Sequence, residues 1–184
     1  MKRLTALLLA SVMVLTMTAC ACQKQPEPTD NTGANAAAPL AGSMEENVTK
    51  LIQANPAEFM GGMMSVDLQD TSEEGLWALK SYTGLTSADH ITDVAAYEPM
   101  TGSQAFSLVM VRVAEGADPK TVARQMKDNI DPRKWICAMA DQVMVAGYKD
   151  TVMFIMLDSG LGKTAQSYVD AFQTLCGGKL DFTI

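Results

Sequence analysis

Residues 105–113 read Ala-Phe-Ser-Leu-Val-Met-Val-Arg-Val, and this stretch decides the fold of the 184-residue chain. Its apolar and β-branched composition predicts a buried strand. Because alternate side chains of a strand point to opposite sides, Phe106, Leu108 and Met110 share one face. The valines share the other face.

Strands and helices are predicted on both sides of this stretch. The segment Ile91–Glu98 predicts a preceding strand. Asp118 followed by Pro119 predicts a helix start, because Asp caps helices and Pro suits their first turn. The later predicted elements are a hairpin of residues 143–146 and 151–157 and a last helix over residues 163–176.

The order strand, strand, helix, strand, strand, helix predicts the fold class. Short connections within each strand pair require antiparallel neighbours. We therefore expect an α+β two-layer sandwich, with an antiparallel sheet of about four strands and helices packed on one face. Two capping boxes, Ser43 with Glu46 and Thr71 with Glu74, predict earlier helices, and alternating apolar residues near the C-terminus predict an edge strand.

The N-terminus has the pattern of a bacterial export signal. Lys2 and Arg3 precede an apolar run, Leu4–Met17, which is shorter than the roughly 20 residues of a membrane span. Small residues then lead to Cys20. This order predicts a lipoprotein signal peptide over residues 1–19, with Cys20 as the acceptor of diacylglycerol.

The following segment predicts a tether. Residues 20–42 contain almost no large apolar side chains, so we expect the lipidated Cys20 to be followed by a disordered linker. The linker's root-mean-square reach is roughly 25 Å. Residues 43–184 are then expected to form a single α+β domain.

Charge argues against one class of partner. The chain has a formal net charge of −7, and removal of Lys2 and Arg3 with the signal changes it to −9. Nucleic acids and anionic headgroups attract basic proteins, so we expect no nucleic-acid partner. Membrane attachment is assigned to the lipid, whose two acyl chains anchor a protein stably.

The central elements resemble a known family. Residues 93–100, residues 106–113, the Asp118–Ile130 helix and the Val143–Leu157 hairpin together resemble an uncharacterised domain family, a domain of unknown function found in lipoproteins of clostridial-type Gram-positive bacteria. The resemblance covers about residues 80–176 and rests on the order of elements. It implies a fold and a location on the outer face of the cell membrane, without an activity.

Two cysteines lie in the predicted domain. Cys137 and Cys176 are the plausible disulfide pair, and export permits such a bond. They are equally compatible with two small buried hydrophobic residues.

A methionine-rich segment is a candidate contact surface. Phe59, Met60, Met63 and Met64 surround two glycines in a stretch without clear helix or strand periodicity. Loops often carry recognition, and methionine adapts to varied apolar partners. The alternative is that Phe59 and Met63 fill a gap in the core.

The sequence predicts no catalytic site, cofactor or metal. Residues 160–164, Gly-Leu-Gly-Lys-Thr, lack the first glycine of a P-loop, because Leu157 stands there. The acidic residues within 67–74 lack the spacing of a calcium loop. His90 is the single histidine and lies outside any pattern of nucleophilic catalysis.

We therefore expect a non-enzymatic, lipid-anchored binding or accessory module at the cell envelope. Its partner would be an envelope protein, a wall component or a small ligand. The alternative is a ligand- or metal-binding lipoprotein that serves a transporter.

The lipid anchor can be tested at Cys20. We expect Cys20→Ala to abolish acylation and to release the processed protein or leave the precursor unprocessed, because an acidic chain has no charge attraction to the membrane. Fractionation and mass spectrometry of the N-terminus measure both effects. A processed Cys20→Ala protein that stays in the membrane fraction would contradict the assignment.

Overall fold

A computed structural model describes residues 38–184, so the predicted signal peptide and the predicted lipid acceptor Cys20 lie outside the described residues. No helix in the described range combines the length and apolarity needed to cross a membrane. The elements in this range are α1 (Met44–Ala54), β1 (Gly61–Met64), α2 (Glu73–Thr83), β2 (Ile91–Pro99), β3 (Phe106–Val113), α3 (Pro119–Asn129), β4 (Gln142–Tyr148), β5 (Thr151–Leu157), a 3-10 turn (Ser159–Leu161), α4 (Ala165–Leu175) and β6 (Phe182–Thr183).

Local capping chemistry sets the helix starts. Ser43 and Glu46 form the predicted capping box, with both hydrogen bonds at 3.2 Å. The Asp118 side chain caps α3 and accepts from the backbone N–H groups of residues 120 and 121, which confirms that helix start. α2 differs from the prediction, because Ser72 rather than Thr71 is its N-cap.

The sheet is antiparallel throughout, and its described strands follow the order β1-β2-β3-β5-β4-β6. β3 and β5 form its centre, with Val109 opposite Phe154. The predicted α+β class is confirmed. The predicted count of about four strands is too low for residues 38–184, because β1 extends the sheet beside β2 and β6 extends it beside β4.

Helices cover both faces of the sheet, which corrects the prediction of a two-layer sandwich. α1 and α4 pack on the face that carries Phe106, Leu108 and Met110. α2 and α3 pack on the opposite face, where Val109 and Val111 lie. Every residue of β5 is buried. Both faces of the central strands are apolar, so each face requires its own cover.

Connection handedness explains why the cover is divided. β3 and β4 are parallel strands separated by β5, and α3 connects them. β5 and β6 are likewise parallel and separated by β4, with α4 between them in sequence. Both connections move across the sheet in the same sense, but β3 and β5 run in opposite directions. Connections of the same right-handed type therefore place α3 and α4 on opposite faces.

The chain entering α1 is bound to the domain. Arg112 donates from Nη2 to the carbonyl oxygens of Leu40 at 2.9 Å and Gly42 at 2.8 Å, and from Nη1 to Asp150 at 2.9 Å. The Tyr148 hydroxyl donates to the carbonyl oxygen of residue 38 at 3.1 Å. Residues 38–42, which the prediction assigned to the disordered tether, are thus attached to the sheet.

We expect Arg112→Met to release residues 38–42. The substitution removes the guanidinium that holds two carbonyl groups and Asp150, so unfolding should become easier by about 1–3 kcal/mol. Elastase cleavage within residues 38–42, followed by mass spectrometry, should accelerate. Lys179→Met is the control, because Lys179 is exposed and has no hydrogen bond or ion pair within residues 38–184. Equal cleavage of the two variants would contradict the attachment.

Candidate functional site

The structure divides the predicted contact surface. Phe59 is partly buried and packs against the core that α1 and α4 cover, with its ring centroid 5.0 Å from that of Phe106. Met64 is partly buried against the opposite core. Met60 is 77% exposed, and Met63 is also exposed. Of the four predicted residues, Met60 and Met63 are therefore available to a partner.

The segment around these methionines is a strand, not an irregular loop. β1 pairs with β2, with Gly61 opposite Pro99 and Met63 opposite Tyr97. A Cβ atom on Gly61 would lie 2.6 Å from the Tyr97 ring, so glycine permits β1 to cross that ring closely. The glycine that suggested irregularity in the sequence is required for close strand packing.

Exposed apolar side chains from three separate parts of the sequence lie at the end of the sheet beside β1. The Met100 N–H donates to the Met60 carbonyl at 3.0 Å. Ile136 lies against Gly102, since a Cβ there would be 3.7 Å from the Ile136 side chain. Met100 is 68% exposed and Ile136 is 92% exposed. We call Met60, Met100 and Ile136 the end patch.

β1 also presents unpaired backbone groups. Residues 60, 62 and 64 turn their polar groups toward β2, as the Met60–Met100 bond and the register require. Gly61 and Met63 therefore turn their N–H and C=O groups outward, where residues 38–184 provide no partner strand. This arrangement is an open sheet edge beside the end patch.

A buried ion pair lies on the α2 and α3 side of the same sheet end. Glu98 is 6% exposed, and its Oε1 accepts from the Ser107 hydroxyl at 2.6 Å and from the Lys134 ammonium. Lys134 also donates to the Ser81 carbonyl at 2.9 Å. Its Nζ lies 5.2 Å from the centre of the Tyr82 ring. The pair therefore ties the loop after α3 to both β2 and α2.

Burial dominates the electrostatics of this pair. It raises the pKa of Glu98 above its ordinary value, and the Lys134 ammonium and Ser107 hydroxyl oppose that shift without cancelling it. Burial also lowers the pKa of Lys134, against the opposing effect of Glu98. Loss of water thus outweighs mutual attraction, as is common for buried ion pairs.

A cleft of about 380 Å³ opens beside Lys134. Its lining residues are Trp77, Lys80, Ser81, Asn129, Asp131 and Lys134. Trp77 is 64% exposed, and its ring meets Tyr82 edge to face with 6.4 Å between centroids. Gly84 ends α2 with a φ of 77°, and a Cβ there would lie 2.6 Å from the Met126 carbonyl of α3. Glycine thus lets the two helices that border the cleft approach each other.

Sequence reasoning missed the residues of this pair and cleft. Glu98 was the available signal, because it follows the largely apolar stretch of residues 94–97 and a charged residue in a buried strand needs a partner. The identity of that partner, Lys134, was not accessible from sequence. The sequence did not indicate that Trp77 is exposed, because its position in α2 is compatible with either the buried or the solvent-facing side of the helix.

The cysteines are not joined. Cys137 is exposed and Cys176 is buried, and both are free thiols. Burial raises the pKa of Cys176 to about 12. Of the two cysteines, only Cys176 has the burial expected of a small apolar residue.

The other segments considered in the sequence analysis do not form a binding or catalytic site in the described residues. Residues 159–161 form a 3-10 turn before α4, and Thr164 caps that helix. His90 is exposed between α2 and β2. Within residues 38–184, no group of three or more His, Cys, Asp or Glu side chains could hold a metal ion.

Comparison with protein-family models, curated proteins and solved structures finds no match. The family resemblance therefore stays a prediction, and function must be argued from the sites themselves.

We expect the ion pair to respond non-additively to substitution. Lys134→Met leaves Glu98 buried without its partner, so the unfolding free energy should fall by about 3–5 kcal/mol near neutral pH. Adding Glu98→Gln removes the buried charge and should restore at least about 1 kcal/mol. Urea unfolding measures these changes, with exposed Lys80→Met as the control.

The pH dependence has a defined sign. Because the Glu98 pKa is raised in the folded state, its contribution to stability is present below its ordinary value of 4.5 and is lost as the pH rises through the folded-state pKa. The fall with pH should be steeper in Lys134→Met than in the natural chain, and Glu98→Gln should abolish it. Additive effects, or identical pH slopes, would contradict this account.

Proposed function

We propose that this chain is a lipid-anchored lipoprotein on the extracytoplasmic face of the cell membrane, where it acts as a non-enzymatic binding module. The export signal and Cys20 support the location. An envelope protein is the partner, and the end patch with the adjoining β1 edge is the surface that binds it.

The carrying observation is the junction of exposed apolar side chains with an open strand edge. Met60, Met100 and Ile136 come from separate segments and lie at the same end of the sheet as β1. Outward N–H and C=O groups of Gly61 and Met63 fit the backbone of an additional strand. Together these features favour an extended, apolar segment of a partner protein as the occupant.

Charge supports the same partner chemistry. The end patch consists of uncharged side chains, and the mature chain carries a net charge of −9 after loss of Lys2 and Arg3 from the full-chain value of −7. Attraction to anionic headgroups would require basic residues. An apolar strand pairs with this surface without leaving a charge buried.

The test is site-specific photo-crosslinking in intact cells. A benzoylphenylalanine placed at Met63 should crosslink one envelope protein, and the same group at Lys179 should not. Met60→Ser combined with Ile136→Ser should lower the crosslink yield at least about tenfold, because two apolar anchors are lost. The melting temperature should stay unchanged, since both side chains are exposed.

Two further variants sharpen the result. With the benzoylphenylalanine placed at the exposed Met100 instead, Met63→Pro removes the outward N–H of the edge and should also reduce crosslinking. Leu76→Ser is the matched control, because Leu76 is an exposed apolar residue on α2. A crosslink yield that is the same in the double serine variant and in Leu76→Ser would overturn the proposed surface.

A further inference from the structure

The cleft beside Trp77 has features of a ligand site that the proposed partner surface does not use. An exposed tryptophan ring stands at its border, and polar side chains line the remainder. Its volume of about 380 Å³ falls at the lower end of the range for small-molecule sites. We propose that this cleft binds an uncharged saccharide unit.

Trp77 supplies a fixed apolar platform. It projects from α2, and the edge-to-face contact with Tyr82 restrains its ring. Tyr82 is itself held beneath the Lys134 ammonium. An exposed aromatic face suits the flat C–H surface of a pyranose ring, and the contact with Tyr82 lowers the conformational freedom lost on binding.

The charges of the cleft balance. Lys80 and Lys134 contribute two ammonium groups, and Asp131 and the underlying Glu98 contribute two carboxylates. Lys134 is already engaged by Glu98 and the Ser81 carbonyl. The site therefore has no surplus charge to hold a phosphate, a polycarboxylate or a cation, which favours a neutral ligand.

The polar groups match hydroxyl chemistry. Each sugar hydroxyl both donates and accepts a hydrogen bond. Lys80 offers donors, Asp131 offers acceptors, and the Asn129 amide offers both. An aromatic face next to mixed donors and acceptors, without net charge, is the combination that a hexose or N-acetylhexosamine unit requires.

The experiment uses the full-length chain in a detergent without a sugar headgroup. Cellotriose and chitotriose are titrated, and binding is followed by calorimetry and by tryptophan fluorescence. We expect saturable binding of at least one trisaccharide. Trp77→Ala should weaken it at least about tenfold, Trp77→Phe should weaken it less, and Asn129→Ala should weaken it without a change in melting temperature.

The controls separate this site from the partner surface. Leu76→Ala changes an exposed residue next to Trp77 in sequence and should bind as the natural chain does. Met60→Ser with Ile136→Ser should also bind normally, since neither residue lines the cleft. Absence of binding by both trisaccharides at millimolar concentration, unchanged affinity in Trp77→Ala, or binding of adenosine alone would overturn the proposal.

Discussion

The apolar character of β3 and β5 on both faces is the constraint on which the rest of the structure depends. A sheet with one solvent-exposed face needs helices on the other face only. Here Val109 and Phe154 of the central strands would be exposed to water if only α1 and α4 were present. Burial of such side chains stabilises by about 1.5–3 kcal/mol each. α2 and α3 therefore belong to the folding requirement, and they also form the walls in which the cleft develops.

The Glu98–Lys134 pair connects this core to both candidate surfaces. Lys134 fixes the start of the loop that carries Ile136 to the end patch, and the same lysine lies in the lining of the cleft. Apolar replacements would serve stability equally well or better. The pair is better explained as a positioning device. Its directional bond between β2 and the loop after α3 sets where Trp77 and Ile136 lie relative to the sheet.

Local signals made much of the fold predictable, and non-local geometry limited the rest. Ser43 and Asp118 identified helix starts because capping involves neighbours in sequence. The two-sided cover was missed because it depends on which strand β4 joins and on connection handedness, which no short segment encodes. The site was missed for a related reason: Glu98 and Lys134 are 36 residues apart.

The attachment of residues 38–42 has a mechanical consequence. A force that pulls the chain from before Ala38 acts first on the carbonyl groups held by Arg112 and Tyr148, which lie outside the sheet's own hydrogen-bond ladder. Their rupture releases five residues, whose fully extended span is roughly 17 Å at about 3.3–3.6 Å each. Tension on the chain before Ala38 therefore reaches these side-chain hydrogen bonds before it reaches α1 or the central strands.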